Sequence, residues 1–212
     1  MSKLTTRREF LIGAGKVAAG AAAISALNPV LNTIAEETPA APEYPFKYVK
    51  LDPEKVKERC YKGFYDFGGC AAGSFGGVVS ILSEEVGYPF NQLPYLMYAN
   101  GAGGYGAASL CGSLGGCAGV IGLFLEAKEA RAVTAELFKW YRGHEFPQYD
   151  PENYAAEKTV AKSVNCSDSV TKFMQANGIK EMSDPVRMSR CAAVTGEAAA
   201  KTVELLNAHF NL

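Results

Sequence analysis

Residues 110–125 have the sequence LCGSLGGCAGVIGLFL, an apolar segment in which glycine recurs about once per helical turn. The recurring residues are Gly112, Gly115, Gly116, Gly119 and Gly122. This spacing places them on one face of a helix, although glycine in a helix interior costs roughly 1 kcal/mol relative to alanine. A face without side chains lets another backbone, or a bulky inorganic group, approach closely. The segment therefore predicts a glycine-rich central helix, and it contains too much glycine and serine to span a membrane comfortably.

The segments on either side of this helix also predict helices. In each of them apolar residues recur at three- or four-residue spacing, and capping residues, proline or glycine mark the ends. The predicted helices begin at Asp52-Pro53, run from Cys70 to Val86 and from Ala127 to Arg142, extend from Ser167 or Asp168 to Asn177-Gly178, and continue from Asp184-Pro185 to the C-terminus. No stretch shows the alternation of a strand flanked by hairpin turns. The sequence predicts an all-α fold, a compact helical bundle with a glycine-rich central helix and an N-terminal export leader.

Residues 1–35 predict an export signal. Arg7 and Arg8 precede a short, weakly apolar run from Ala14 to Leu27, which Lys16 interrupts. Paired arginines before such a run are typical of the twin-arginine signal, which exports proteins that have already folded. A surface amphipathic helix is disfavoured because the apolar residues form no helical stripe. We expect a protein of the periplasm or cell envelope, in contact with a membrane only through an uncleaved leader.

The rest of the chain predicts a linker and one domain. Pro39, Pro42 and Pro45 make residues 36–50 an extended linker, and residues 51–212 form a helical, cysteine-rich domain. The chain has 212 residues, of which 48% are hydrophobic and 20% charged, values typical of a soluble globular protein. Its formal net charge is −1, so no basic excess indicates a nucleic-acid partner.

Cysteine is the residue type that carries the chemistry. The chain has six cysteines and only two histidines. No C-x-x-C pair occurs, which excludes the thioredoxin motif and the usual zinc ribbon, and no C-x-x-C-H occurs, which leaves covalent c-type haem without an attachment site. Two arrangements remain open. The cysteines are ligands of a metal or cluster inserted before export, or they form up to three disulfides in an oxidising compartment.

The segment Cys111-Gly112-Ser113-Leu114-Gly115-Gly116 is close to a C-G-A-x-x-G signature, with serine in place of alanine. On this motif and on the spacing of the other cysteines, the chain resembles the redox-active protein family C_GCAxxG_C_C. The resemblance extends over residues 60–207 and is stronger to the exported branch related to split-Soret cytochrome c than to the short cytoplasmic members.

The resemblance implies a ligand set and a cofactor. The four spaced cysteines of the family correspond to Cys70, Cys111, Cys166 and Cys191. They are expected to hold an iron-sulfur cluster of the [2Fe-2S] type, with no covalent c-type haem. Backbone amides at Gly112, Gly115 and Gly116 are expected to approach the cluster and stabilise its negative charge. Cys60 and Cys117 are additional to the family pattern.

These observations lead to one leading hypothesis about function. The chain is an exported electron-transfer or redox-sensing protein that acts with a redox partner protein, and the resemblance allows for a homodimer. It is a carrier of electrons more than an enzyme with an organic substrate, because no general acid/base pair stands out. The alternatives are a disulfide-stabilised exported binding or structural module without a metal, and a redox enzyme that uses a thiol pair.

Overall fold

The computed structural model of the chain describes residues 41–212. The predicted signal segment, residues 1–35, and the start of the predicted linker, residues 36–40, lie outside the described residues. Six α-helices make up most of the described chain: α1 Pro53–Asp66, α2 Cys70–Glu85, α3 Gly112–Phe124, α4 Ala127–Gly143, α5 Cys166–Ala176 and α6 Pro185–His209. Short turns of 3₁₀-helix at Phe90–Gln92 and Tyr95–Gly101, and one π-helical turn at Gly104–Ala108, join α2 to α3. The predicted all-α class is confirmed.

A small antiparallel ribbon is the exception to the helical pattern. Strands β1 (Glu145–Phe146) and β2 (Thr159–Val160) pair in register, with Glu145 opposite Val160. Each strand has two residues. Alternation cannot be recognised over so short a length, so the sequence does not predict the ribbon.

Local capping chemistry accounts for the start of two helices. The Asp52 carboxylate accepts a hydrogen bond of 2.9 Å from the backbone N–H of Glu54, and the Asp184 carboxylate accepts one of 2.9 Å from Val186. Proline follows each aspartate at the first helical position, where its missing N–H costs nothing. Both predicted helix starts are confirmed.

The start of α5 differs from the prediction. The helix begins at Cys166 and its N-cap is Asn165, two residues before Ser167 and three before Asp168, the predicted caps. The cause is a long-range contact, an antiparallel bridge between Leu110 and Asn165, which holds the chain extended up to Asn165. The helix starts directly after Asn165, the last residue that this bridge holds in extended conformation.

Helices α2, α3 and α6 form the centre of the domain. Helix α6 has 25 residues and contacts α1, α2, α3 and α4. Helix α3 lies against α2, α4 and α6, which confirms the predicted glycine-rich central helix. At Gly116 of α3 a Cβ atom would overlap the Ser74 hydroxyl and the Ala71 carbonyl of α2. Only glycine permits this approach, and it brings the N-terminal ends of α2 and α3 together.

The described part of the predicted linker lies against the domain. The Phe46 N–H donates to the Leu123 carbonyl of α3 at 2.8 Å, and the Tyr48 hydroxyl donates to the Asn207 side chain of α6 at 2.8 Å. Tyr48 is buried. Within residues 41–212, every helix is too short or too polar to cross a lipid bilayer.

Candidate metal centre

Three of the four predicted ligands occupy helix N-termini. Cys70 is the first residue of α2, Cys111 is the N-cap of α3, and Cys166 is the first residue of α5. None of these three helices has a side-chain cap, in contrast to the aspartate caps of α1 and α6. The free N–H groups and the helix dipole favour a negative charge at each of these positions, so they favour thiolates.

Extended segments before α3 and α5 hold Cys111 and Cys166 near each other. The Cys111 N–H donates to the Val164 carbonyl at 2.8 Å, and the Cys166 N–H donates to the Ser109 carbonyl at 2.6 Å. These bonds flank the bridge between Leu110 and Asn165. The two cysteines are 55 positions apart in the sequence by their numbers, yet their backbones lie on adjoining extended segments.

Cys70 reaches the same place because α2 and α3 approach so closely. A Cβ atom at Gly112 would lie 2.5 Å from the Cys70 sulfur. The first residue of α3 therefore lies directly against the Cys70 thiol, and a side chain at position 112 would displace it. This is the position at which the glycine face of α3 meets a candidate ligand.

Cys191 comes from the second turn of α6. The Thr195 hydroxyl donates to the Cys191 carbonyl at 2.8 Å and lies 3.0 Å from the Ser113 hydroxyl of α3. This pair of contacts attaches the Cys191 turn to the α3 turn that follows Cys111. Both serine and threonine are buried, so the contact is a fixed part of the core.

A cavity of about 410 Å³ lies between these elements. Cys70, Cys166 and Cys191 line it, and Cys111, whose side chain is 7% exposed, lies behind them. Among the described residues, no three histidine, cysteine, aspartate or glutamate side chains stand close enough together to hold a metal ion as they are placed. The thiols instead border a cavity large enough for more than one atom.

The electrostatics of Cys70 shows that the four thiols act on one another. Burial, followed by the repulsion of Cys111 and Cys191, raises the pKa of the Cys70 thiol to about 12. The Gly103 N–H, which favours the thiolate, opposes this effect, and Cys166 adds a further repulsion. At neutral pH the Cys70 thiol therefore stays protonated, and it would become a thiolate only with a cation beside it.

Cys166 has the same kind of environment. Burial raises its pKa to about 11, and Cys111 and Cys191 contribute to the rise. The positive charges of Arg190 and Arg187 lower it. Arg187 lines the cavity, and Arg190 lies behind it in the core.

Cys60 and Cys117 lie in the core, and Cys117 is near enough to Cys111 to interact with it electrostatically. Both are fully buried, and neither lines the cavity. Burial raises the pKa of Cys60 well above its usual value and that of Cys117 to about 12. All six cysteines are free thiols in the structure, so it contains none of the disulfides that the alternative interpretation requires.

The three predicted cofactor-binding glycines have different neighbours. Gly112 lies beside Cys70, as described above. Protein atoms fill the space at the other two: a Cβ at Gly115 would overlap the Tyr105 hydroxyl, and one at Gly116 would overlap α2. Most of the glycine face therefore serves helix packing, and only its N-terminal end reaches the thiols.

Sequence reasoning missed a buried polar network beside the thiols. Ser169 accepts hydrogen bonds from the Tyr141 hydroxyl at 2.9 Å and from the Arg190 guanidinium at 2.7 Å. Burial, followed by the proximity of Cys111, raises the pKa of Tyr141 well above its usual value. The one available signal was the arginine directly before Cys191, which by itself is indistinguishable from a surface charge.

Comparison with known proteins gives consistent results. The family described as "Putative redox-active protein (C_GCAxxG_C_C)" matches residues 74–205. Split-Soret cytochrome c of Desulfovibrio desulfuricans is 31% identical over an alignment of 216 residues, which covers 95% of this chain and 77% of the relative. A solved structure, described as a novel iron centre in that cytochrome, superposes with a TM-score of 0.73 at 32% identity, over 78% of this chain and 72% of the other.

These relatives correct the predicted cofactor. The relative is a cytochrome, which is by definition a haem protein, and its structure is described by a novel iron centre. The prediction of an iron-sulfur cluster without haem is therefore wrong. Thiolate donors identify a soft metal, but they do not determine how many metal atoms are bound or whether sulfide bridges them. A missing C-x-x-C-H motif excludes only covalent attachment of haem through that motif.

Sequence and structure lead to the same assignment. The family match includes Cys111, Cys166 and Cys191, and the alignment with the cytochrome extends over nearly the whole chain. The fold that places Cys166 and Cys191 at the cavity, with Cys111 near them, is similar to a solved structure of the same relative. The chain therefore belongs to the C_GCAxxG_C_C family of redox-active proteins.

Proposed function

We propose that this chain is an exported redox protein in which Cys70, Cys111, Cys166 and Cys191 hold an iron centre. The bound iron would supply one-electron chemistry, by which the chain would carry an electron between a redox partner protein and another acceptor. The observation that carries the proposal is that Cys70, Cys166 and Cys191 line one cavity and that Cys111 lies near enough to Cys70 to act on it electrostatically.

The donor chemistry supports iron as the metal. Thiolates are soft ligands, and cysteine thiolates are established ligands of iron in proteins. The N-termini of α2, α3 and α5 supply partial positive charge where three of the thiolates would stand. When bound, the iron would provide two oxidation states one electron apart, and the cysteines would hold it in place through both.

The surroundings of the thiols support electron transfer more than catalysis. The cavity is lined mainly by apolar side chains, among them Phe64, Val170 and Met188. Within the part of the chain that the structure describes, none of its lining residues is histidine, aspartate or glutamate. An apolar lining limits the access of solvent to a redox centre and tunes its reduction potential, which suits electron transfer.

The relatives support an iron centre, and the N-terminal segment supports export. The whole-chain relative is a cytochrome, and its solved structure is described by an iron centre. Arg7 and Arg8 support export by the twin-arginine route to the periplasm or cell envelope. Folded export would allow the iron to be inserted in the reducing cytoplasm, where the thiols remain available.

Substitution of single cysteines tests the proposal. The full chain is produced anaerobically with iron, and iron and haem per chain are measured together with the visible spectrum. Serine at Cys70, Cys111, Cys166 or Cys191 should reduce bound iron at least about tenfold. Loss of a residue that only supports a ligand already lowers metal affinity by that factor, and loss of a ligand itself should lower it further. Cys60→Ala and Cys117→Ala are the matched controls, and they should retain most of the iron.

The fold of each variant is checked by far-ultraviolet circular dichroism, so that loss of iron is not mistaken for unfolding. Equal loss of iron in all six folded variants would contradict the ligand assignment. A folded wild-type chain that takes up no iron would contradict the proposed function itself.

A further inference from the structure

A buried arginine without a carboxylate partner lies next to the thiols. Arg190 precedes Cys191 on α6, and its side chain is 2% exposed. Among residues 41–212 it forms no ion pair with aspartate or glutamate. One terminal nitrogen donates to Ser169 at 2.7 Å, and the Nε atom has no hydrogen-bond partner. A buried charge is strongly unfavourable unless another charge compensates it.

Aromatic rings hold the guanidinium but do not neutralise it. Its carbon lies 5.7 Å from the ring centre of Phe146 and 5.4 Å from that of Phe173. Phenylalanine faces attract a cation only weakly compared with a carboxylate. The compensating charge must therefore come from something else beside Arg190.

The thiols are the groups in that position. Arg190 directly precedes Cys191 on α6, and its guanidinium donates to Ser169, which lies one turn after Cys166 on α5. Arg190 also acts on Tyr141, whose hydroxyl shares the Ser169 oxygen with it and lies near Cys111. Arg190 and Tyr141 thus both donate to Ser169, and the three residues form one buried network near the cysteines.

We propose that Arg190 is the counter-charge of the four-cysteine centre, and that Ser169 and Tyr141 hold it in position. The inference rests on the proposed function, because the thiolates carry their full charge only around a bound metal. Reduction by the partner protein adds one electron, so the centre becomes one charge more negative. A fixed positive charge stabilises the reduced form more than the oxidised form, and the low polarity of the core strengthens the effect. Arg190 is thus a positioning residue that raises the reduction potential.

Substitutions at position 190 separate charge from shape. Arg190→Met removes the charge and keeps much of the volume, Arg190→Lys keeps the charge, and Arg131→Met removes an exposed arginine of α4 as the matched control. The midpoint potential of each iron-loaded protein is measured by anaerobic titration, followed in the visible spectrum. Thermal unfolding is measured with and without iron.

At a fixed ambient potential, Arg190→Met should lower the ratio of reduced to oxidised protein about tenfold, which corresponds to about 59 mV for one electron. Arg190→Lys should retain most of the wild-type ratio, and Arg131→Met all of it, because solvent screens an exposed charge. Arg190→Met should also destabilise the iron-loaded protein more than the iron-free protein, since only the loaded site presents its full negative charge.

Three other outcomes would decide for or against the counter-charge. An unchanged midpoint in iron-loaded Arg190→Met, or equal destabilisation with and without iron, would overturn the inference and leave a structural role for Arg190. If Arg190→Met loses iron, retention by Arg190→Lys supports the counter-charge, whereas loss in both variants overturns it. A wild-type chain without iron would overturn the proposed function, and the inference with it.

Discussion

Gly116→Ala tests the close approach of α2 and α3 on which the cysteine cavity depends. The new methyl group would overlap the Ala71 carbonyl and the Ser74 hydroxyl. The carbonyl belongs to the helix backbone and cannot turn away. The hydroxyl donates to the Ser113 carbonyl at 3.1 Å, so its displacement would also break a contact between the two helices.

The size of the effect follows from two opposing contributions. Alanine is favoured over glycine in a helix interior by about 1 kcal/mol. Overpacking of a filled core costs roughly 1 to 3 kcal/mol, and the upper end applies where the obstacle is backbone. The free energy of unfolding should therefore fall by about 2 kcal/mol.

Gly122→Ala is the matched control on the same helix. A Cβ at Gly122 would meet no atom within 4 Å, so only the helix preference remains. This variant should be more stable than the wild-type chain by up to about 1 kcal/mol. The two alanine variants should thus differ by about 3 kcal/mol, although they make the same chemical change.

Urea unfolding of the iron-free proteins, followed by the fluorescence of the only tryptophan, Trp140, measures this difference. Iron content is measured in parallel. We expect it to fall in Gly116→Ala, because forcing α2 and α3 apart separates Cys70 from Cys111, and to stay unchanged in Gly122→Ala. Equal unfolding free energies for the two variants would refute the argument that backbone contact at Gly116 sets the distance between the helices.

Two further predictions concern buried polar groups. Burial raises the pKa of the Cys117 thiol to about 12, so the folded chain disfavours its thiolate. Above pH 9 the unfolded chain loses this proton while the folded chain keeps it. This thiol should therefore lower the free energy of unfolding by up to about 1.4 kcal/mol per pH unit. Cys117→Ala should have a shallower slope in urea unfolding between pH 8.5 and about 10.5, and an unchanged slope would contradict the prediction. Asn207→Ala removes the acceptor of the Tyr48 hydroxyl and the donor to the Leu51 carbonyl, 2.8 Å and 2.9 Å away, so we expect a loss of about 2 to 4 kcal/mol in thermal unfolding. Exposed Asn100→Ala should change stability by less than about 0.5 kcal/mol, and a similar loss in both variants would disprove the anchoring role of Asn207.

Helix starts with local chemistry could be predicted from the sequence. An aspartate followed by proline specifies a helix start at Asp52 and at Asp184, because the cap and the donors that it satisfies are two residues apart. The start of α5 could not be predicted in this way. Its cap is chosen by the bridge between Leu110 and Asn165, whose partners are distant in the sequence.

The candidate ligands illustrate the same division. Resemblance to a family pointed to Cys70, Cys111, Cys166 and Cys191. The structure places Cys70, Cys166 and Cys191 at one cavity, with Cys111 buried beside them, and it places Cys60 and Cys117 in the core away from the cavity lining. Their residue type indicated a soft metal. It carried no information on the composition of the centre, which is why the predicted cofactor was wrong.

The sequence alone determined the helical class, the aspartate caps of α1 and α6 and the glycine face of α3, because each of these depends on residues within one or two turns of one another. Tertiary structure decided what that face contacts and which thiols meet. It also decided that Arg190 is buried without a carboxylate partner in the described chain. Those features depend on contacts between helices far apart in the chain, and the packing of several helices at once selects them.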